Sequence, residues 1–155
     1  MDGLMQESAL KGIKILDLSR LLPGPLCSMM LADLGAEVIK IEEPGIGDWI
    51  RYAPPMLKEN SSYYLSINRN KKSMTLDLRR EKGRAILLDL VKGADVVIDG
   101  FRPGVMKRLG LSYDILRQVN KNIIMCAISG YGQDGPYAQR AGHDLNYISV
   151  AGIAS

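Results

Sequence analysis

IKILDLSRLLPGPLCSMMLADLGAEVIKI, residues 13–41, is the stretch that decides the fold. Ile13 to Leu18 is short and rich in branched apolar residues, the composition of a strand. Ser19-Arg20-Leu21-Leu22-Pro23-Gly24-Pro25 follows. Prolines on either side of a glycine argue against a regular element there, while Pro25 suits the first residue of a helix. Leu26, Met29, Met30 and Leu34 then recur at helical spacing, and Gly35 supplies the stop. Glu37 to Ile41 reads as a second strand. Strand, turn, helix, strand is a βαβ unit, which predicts parallel pairing with a right-handed crossover.

Working outward, residues 43–66 break every period at Glu43-Pro44-Gly45 and Pro54-Pro55, with Trp49, Tyr52, Tyr63 and Tyr64 scattered through them. A loop of that length in a compact domain is usually functional or a cover. Ser73 to Leu78 reads as a strand. Arg80 to Lys92 carries Ala85, Leu88 and Val91 on one helical face, widened by Ile86, Leu87 and Leu90, and stops at Gly93. Val96-Val97-Ile98 is a strand and Gly100-Phe101-Arg102-Pro103-Gly104 a turn. A short helix follows over residues 105–109, then a helix over residues 113–119 capped by Ser112. Residues 123–128 form another buried strand. The last twelve residues open as a helix at Asp144 and break off in mid-pattern, which predicts the front portion of a longer polypeptide.

The chain has 155 residues, 46% hydrophobic and 24% charged, about one globular domain. No apolar run is long enough to span a membrane, and the N-terminus lacks the pattern of a secretory signal. Cys27 and Cys126 have no CxxC spacing, and the lone histidine is far from both in sequence. They predict reduced, buried thiols in a cytoplasmic protein and no metal site. The net charge of +3 is too mild for a nucleic-acid partner, but it suits a ligand carrying phosphates.

Three groups of residues could carry chemistry. Gly130-Tyr131-Gly132-Gln133-Asp134-Gly135 matches G-x-G-x-x-G, but Pro136 follows where a dinucleotide site needs a helix, so it reads as a glycine-rich active-site loop. Arg69-Lys71-Lys72 and Arg79-Arg80 read as solvated surface. Arg102 and Arg108 differ, because they flank a Pro-Gly turn just after a buried strand. Ligands of α/β sheets gather at the carboxyl ends of strands, and arginine holds phosphate in a bidentate fork. A phosphate clamp and a solvated face both remain open for that pair. His143 stands at a predicted helix start beside Asp144, where the helix dipole favours a neutral imidazole and the carboxylate favours a charged one. A catalytic and a structural histidine are both compatible with that position.

Taken in order, ILDLSRLLPGPLCSMMLADLGAEVIKIEEPGIGD, NRNKKSMTLDL, VVIDGFRPGVMKRLGLSYDIL and GYGQDGPYAQRAGHDLNYISVAGI resemble the N-terminal part of the family III coenzyme A transferases (CaiB/BaiF). Within that family they are most similar to the α-methylacyl-CoA racemases. The likeness runs from Lys11 onward without large gaps.

The resemblance implies a Rossmann-like α/β domain, a parallel sheet with flanking helices, that binds an acyl-CoA thioester. Coenzyme A enters as part of the substrate, with no separate cofactor. Full-length members are more than twice as long and form interlocked homodimers. The implied CoA pocket falls on Leu22, Pro23, Leu76, Phe101, Arg102 and Arg108, the two arginines holding the phosphates. Many members carry an arginine where this chain has Glu43, so Arg102, Arg108, Lys71 or Lys72 would take more of the load. Racemases use the histidine of a GHDxNY segment, here Gly142-His143-Asp144-Leu145-Asn146-Tyr147, opposite an aspartate that would fall beyond Ser155. Asp144 would orient His143 or cap the helix, and Tyr147 would line the pocket. The alternatives are a CoA transferase, whose acyl-carrying aspartate would also fall beyond Ser155, and a truncated, inactive acyl-CoA binding module.

Overall fold

The computed structural model describes residues 8–153. Residues 1–7 and 154–155, on which the readings of the two chain ends partly rest, lie outside that span. In chain order the elements are β1 (Lys14–Asp17), α1 (Pro23–Asp33), β2 (Glu37–Glu42), β3 (Met56–Leu57), β4 (Asn60–Ser61), α2 (Ser62–Ile67) and β5 (Lys71–Thr75). They continue with α3 (Glu81–Val91), β6 (Val96–Asp99), α4 (Val105–Arg108), α5 (Tyr113–Val119), β7 (Ile124–Ala127) and α6 (Asp144–Val150). Five strands form one parallel sheet in the order β5-β2-β1-β6-β7, as the α/β reading requires. The chain builds outward from β1 to β5 and then returns to place β6 on the other side of β1. The strand order therefore switches between β1 and β6.

Neighbouring residues of each inner strand point to opposite faces, and both faces are covered. Leu16, Leu18 and Val97 pack with Leu87, Val91, Leu111 and Leu116 on the side of α3 and α5. Ile15, Val38 and Ile98 pack with Ala32 and Ala36 on the side of α1. The longest helices of the described residues have only 11 residues, and none is long and apolar enough to cross a membrane.

Several local expectations are corrected. The helix α1 starts at Pro23, because the first-turn N–H groups need no helical acceptor and both prolines fit there. It buries Gly24, Pro25, Ser28, Met29 and Ala32, leaving Leu26, Met30 and Leu34 outward. β5 begins at Lys71, two residues before the expected strand. α3 buries Gly83, Leu87 and Val91 and leaves Ala85 and Ile86 exposed. β7 is an edge strand rather than a buried one, with Ile124 60% exposed. Ser112 occupies the cap position of α5 without a side-chain capping bond. α6 does not break off: Gly152 N donates to Ser149 O and Ile153 N to Ile148 O, a Schellman closure with Gly152 at φ 76°.

Residues 43–66 are not one long loop. Asp48 Oδ1 accepts from Ile50 N and starts a 3₁₀ turn at Trp49–Tyr52. The β3–β4 hairpin follows, and Ser61 Oγ accepts from Tyr63 N and Tyr64 N at the head of α2. The segment is anchored on buried charge at the carboxyl end of β2. Glu42 accepts from Arg51 Nη2 at 2.7 Å, Ser73 Oγ at 2.7 Å, Tyr64 Oη at 3.1 Å and Asp48 N at 2.9 Å. Burial alone would raise the Glu42 carboxyl. The hydrogen bonds from Arg51, Ser73 and the Asp48 backbone, with the guanidinium charge, outweigh it and bring the group down to about 2.

Two predictions follow from this packing. Helix propensity alone says that Gly83→Ala should stabilise α3 by about 1 kcal/mol. A Cβ at Gly83 would stand 2.0 Å from the Asp77 carbonyl oxygen, a backbone atom that cannot swing away. The clash should win, and chemical denaturation should show a net loss of roughly 1–3 kcal/mol. The second prediction concerns acid. Because the Glu42 carboxyl falls from its ordinary 4.5 to about 2 in the fold, its contribution is complete above pH 4.5 and drains away as pH drops toward 2. That contribution amounts to roughly 2–3 kcal/mol. Unfolding curves between about pH 6 and about pH 3 should show a smaller acid-dependent loss in Glu42→Gln than in the parent.

Candidate functional site

Apart from Lys71 and Lys72, which open β5, the candidate residues lie on or beyond the carboxyl edge of the sheet, where the strand-to-helix turns converge. A cleft of about 300 Å³ opens there on the α3 side. Leu18, Leu76 and Phe101, from beyond three strands, and Ile41, from the end of β2, supply apolar lining. Its polar edge is made by Arg20, Arg79 and Glu43. Arg20 Nη2 stands 3.4 Å from Glu43, and its guanidinium carbon lies 5.6 Å from the centre of the Phe101 ring. Arg79 also pairs with Glu43, and its Nε lies 3.3 Å from Asp77. The carboxylate that replaces an expected arginine is thus held between two arginines.

Of the residues implicated in sequence, Leu76 and Phe101 meet in this cleft. Leu22 and Pro23 stand exposed at the start of α1, outside its lining. Arg102 and Arg108 also lie outside the lining. They are exposed at the turn into α4 and at its last residue, with Gly104 at φ 84° turning the chain into the helix. Neither pairs with a carboxylate among the described residues, whereas Arg20, Arg51, Arg69, Arg79 and Arg80 all do. Lys71 and Lys72 do not serve the cleft. The Lys71 amine is buried against Asp17 Oδ2 at 3.3 Å, Pro25 O at 2.7 Å and Asn68 Oδ1 at 2.9 Å. Desolvation, opposed by Asp17, brings that amine down to about 8. Lys72 pairs with Glu37 on the surface.

A second, larger hollow of about 570 Å³ is lined by Gly104, Met106 and Lys107 on the α4 side, Met125 and Ala127 of β7, and Gln133 of the glycine-rich loop. Gln139 Nε2 donates to Pro103 O at 3.5 Å, so this loop and the Phe101–Gly104 turn are joined. The loop opens no helix, which disposes of the dinucleotide fingerprint. Its glycines have a different reason. A Cβ on Gly130 would stand 2.1 Å from the Tyr147 ring, and one on Gly142 would stand 2.7 Å from it. Tyr147 Oη donates to Gly142 O at 2.6 Å, and Tyr131 packs edge-on against Tyr147 at 5.1 Å and Tyr137 at 5.8 Å. Tyr147 is therefore the post around which the loop is wound.

His143 is the cap residue of α6, and its backbone N donates to Asn146 Oδ1 at 2.9 Å. Asp144 is the first residue of the helix, so the capping position is not its own. Both side chains are exposed, and Asp144 forms no ion pair among the described residues. Asp99, at the end of β6, was missed in sequence. It is 3% exposed, one oxygen accepts from Phe101 N at 3.0 Å and the other has no hydrogen-bond partner among the described residues. Burial pushes this carboxyl up against that hydrogen bond. Arg20 and Arg79 were missed as well, although each follows the carboxyl end of a strand closely enough to have been suspected. Among the described residues no group of three or more His, Cys, Asp or Glu is placed to hold a metal ion.

Known proteins resemble this chain in sequence and in fold. The human succinyl-CoA:glutarate CoA-transferase is 47% identical over 145 residues, which cover 93% of this chain and 33% of that protein. Human alpha-methylacyl-CoA racemase is 40% identical over 148 residues, covering 95% of this chain and 35% of the relative. The chain spans about a third of the length of these curated relatives. The crystal structure of a CAIB/BAIF family protein from Brucella suis superposes with a TM-score of 0.89 at 41% identity, over 96% of this chain and 40% of that one. The model of CoA-transferase family III matches residues 10–155, and the chain belongs to that family.

Proposed function

We propose that this chain is the CoA-binding N-terminal portion of an acyl-CoA enzyme. The observation that carries the reading is the pair Arg102 and Arg108, two exposed guanidiniums with no carboxylate partner among the described residues, beside an apolar cleft on the carboxyl edge of a parallel sheet. The adenine end of CoA packs on Leu76 and Phe101, its phosphates lie on Arg102 and Arg108, and Leu22 and Pro23 border the path at the start of α1. The acyl end reaches the glycine-rich loop, which the Gln139–Pro103 bond joins to the same turn.

The reaction we propose is inversion at C2 of a 2-methylacyl-CoA. His143 exchanges a proton with that carbon on one face, and a second acid/base group outside this chain serves the other. Each contributes roughly 10²–10⁴-fold. The enolate oxygen formed between the two transfers is held by backbone N–H groups of the glycine-rich loop. Transfer of CoA between carboxylic acids is the second reading, and one observation favours it: the human transferase is 47% identical to this chain where the human racemase is 40%.

With the polypeptide in its natural length, a chiral 2-methylacyl-CoA in heavy water separates the two. Deuterium appearing at C2 with inversion supports racemisation, while CoA appearing on an added acid supports transfer. His143→Ala should abolish inversion of both epimers while stereospecific exchange survives best from one of them. Inversion at the parental rate would remove His143 as the base. Replacing Arg102 or Arg108 with Ala should weaken CoA binding by roughly 1.5–3 kcal/mol, read by calorimetry.

A further inference from the structure

Leu21 is a residue out of place. Its φ is 63°, a left-handed backbone that a γ-branched side chain does not choose. Packing does not impose it, because the Leu21 and Leu22 side chains are 49% and 51% exposed. What holds it is a carboxylate from another segment. Asp48 Oδ1 accepts from Leu21 N at 3.0 Å and from Ile50 N at 3.1 Å, while Asp48 Oδ2 faces Lys40 Nζ at 2.9 Å. Lys40 Nζ in turn donates to Ser19 O at 3.0 Å. Both charged side chains are 1% exposed. Together they grip the turn on each side of Arg20, at the Ser19 carbonyl and the Leu21 amide.

We infer that the Lys40–Asp48 pair is a positioning pair. It holds the Ser19–Pro23 turn in the left-handed shape that sends Arg20 over Phe101 and sets Leu22 and Pro23 at the head of α1. This rests on the CoA-binding reading above, since Phe101, Leu22 and Pro23 lie along the proposed CoA path. Neither member of the pair lines the cleft, so neither touches the ligand. Strain kept at an exposed turn persists only where its surroundings over-determine it, and here a buried ion pair does so.

The test must separate holding the turn from holding the fold. Removing one partner would strand a buried charge, whereas replacing both with apolar groups is often tolerated. Lys40→Met/Asp48→Ala in the polypeptide at its natural length should therefore fold, with the far-ultraviolet signature and a cooperative melt retained. It should bind CoA at least 10-fold more weakly in calorimetry. Adding Leu21→Gly to that pair should recover threefold or more of the lost affinity, because glycine occupies the left-handed region without cost and a merely structural loss would not respond. A folded double variant with parental CoA affinity overturns the inference, as does weakened affinity that Leu21→Gly leaves unmoved. Failure of the double variant to fold makes the pair a determinant of the fold and overturns it too. If the parental protein itself binds no CoA, the CoA reading fails first and this inference with it.

Discussion

Lys40 lies in the second strand of a parallel sheet with none of its surface exposed. A lysine there is tolerable only if its charge is met inside the protein. The counterion, Asp48, comes from beyond the end of the strand, so the chain must fold back over the sheet to deliver it. That return brings Arg51 and Tyr64 onto Glu42, and the Arg51 guanidinium lies 3.7 Å from the centre of the Tyr64 ring. A parallel arrangement one strand over uses Asp17, which accepts from Ser19 N, Ser19 Oγ, Ser28 Oγ and Lys71. The carboxyl edge of the sheet is thus built on paired charge below and apolar cleft above.

What could be read from the residues follows what local physics determines. The βαβ unit was legible because the change from strand composition to helical spacing, ended by Gly35, is a local signal. The edges of α5 were legible for the same reason. Residues 43–66 were not, because their order comes from contacts that Glu42 gathers with Asp48 N, Arg51 and Tyr64 along the segment, and only the caps Asp48 and Ser61 announce it locally. The outward leucines of α1 misled the reading of its buried face. Close approach to the sheet there needs small residues such as Ala32 and Ser28, and hydrophobicity does not report that.

The candidate site divides in the same way. Arg102 and Arg108 could be singled out from their place just after a strand, whereas Leu76 and Phe101 came only from the family resemblance. Arg20 and Arg79 each follow the carboxyl end of a strand, but only the structure shows Glu43 held between them. Tyr147 was expected at a pocket wall. Its ring fills the space that the Cβ atoms of Gly130 and Gly142 would need, which explains those two glycines without any appeal to a nucleotide.

The strand order also sets how the protein can be made. Strands β1 and β2 are joined by one short helix, and β5 follows before residue 75, so half of the sheet can assemble as the chain emerges. The other edge of β1 waits for β6: Lys14 N finds Asp95 Oδ2 only 81 residues later. Until then the central strand of the finished sheet carries an open, apolar, unpaired edge, the kind of surface that invites association with other chains. Synthesis from the N-terminus therefore passes through an interval of exposure whose length is fixed by the topology, and a ribosome pausing between residues 75 and 95 would prolong it.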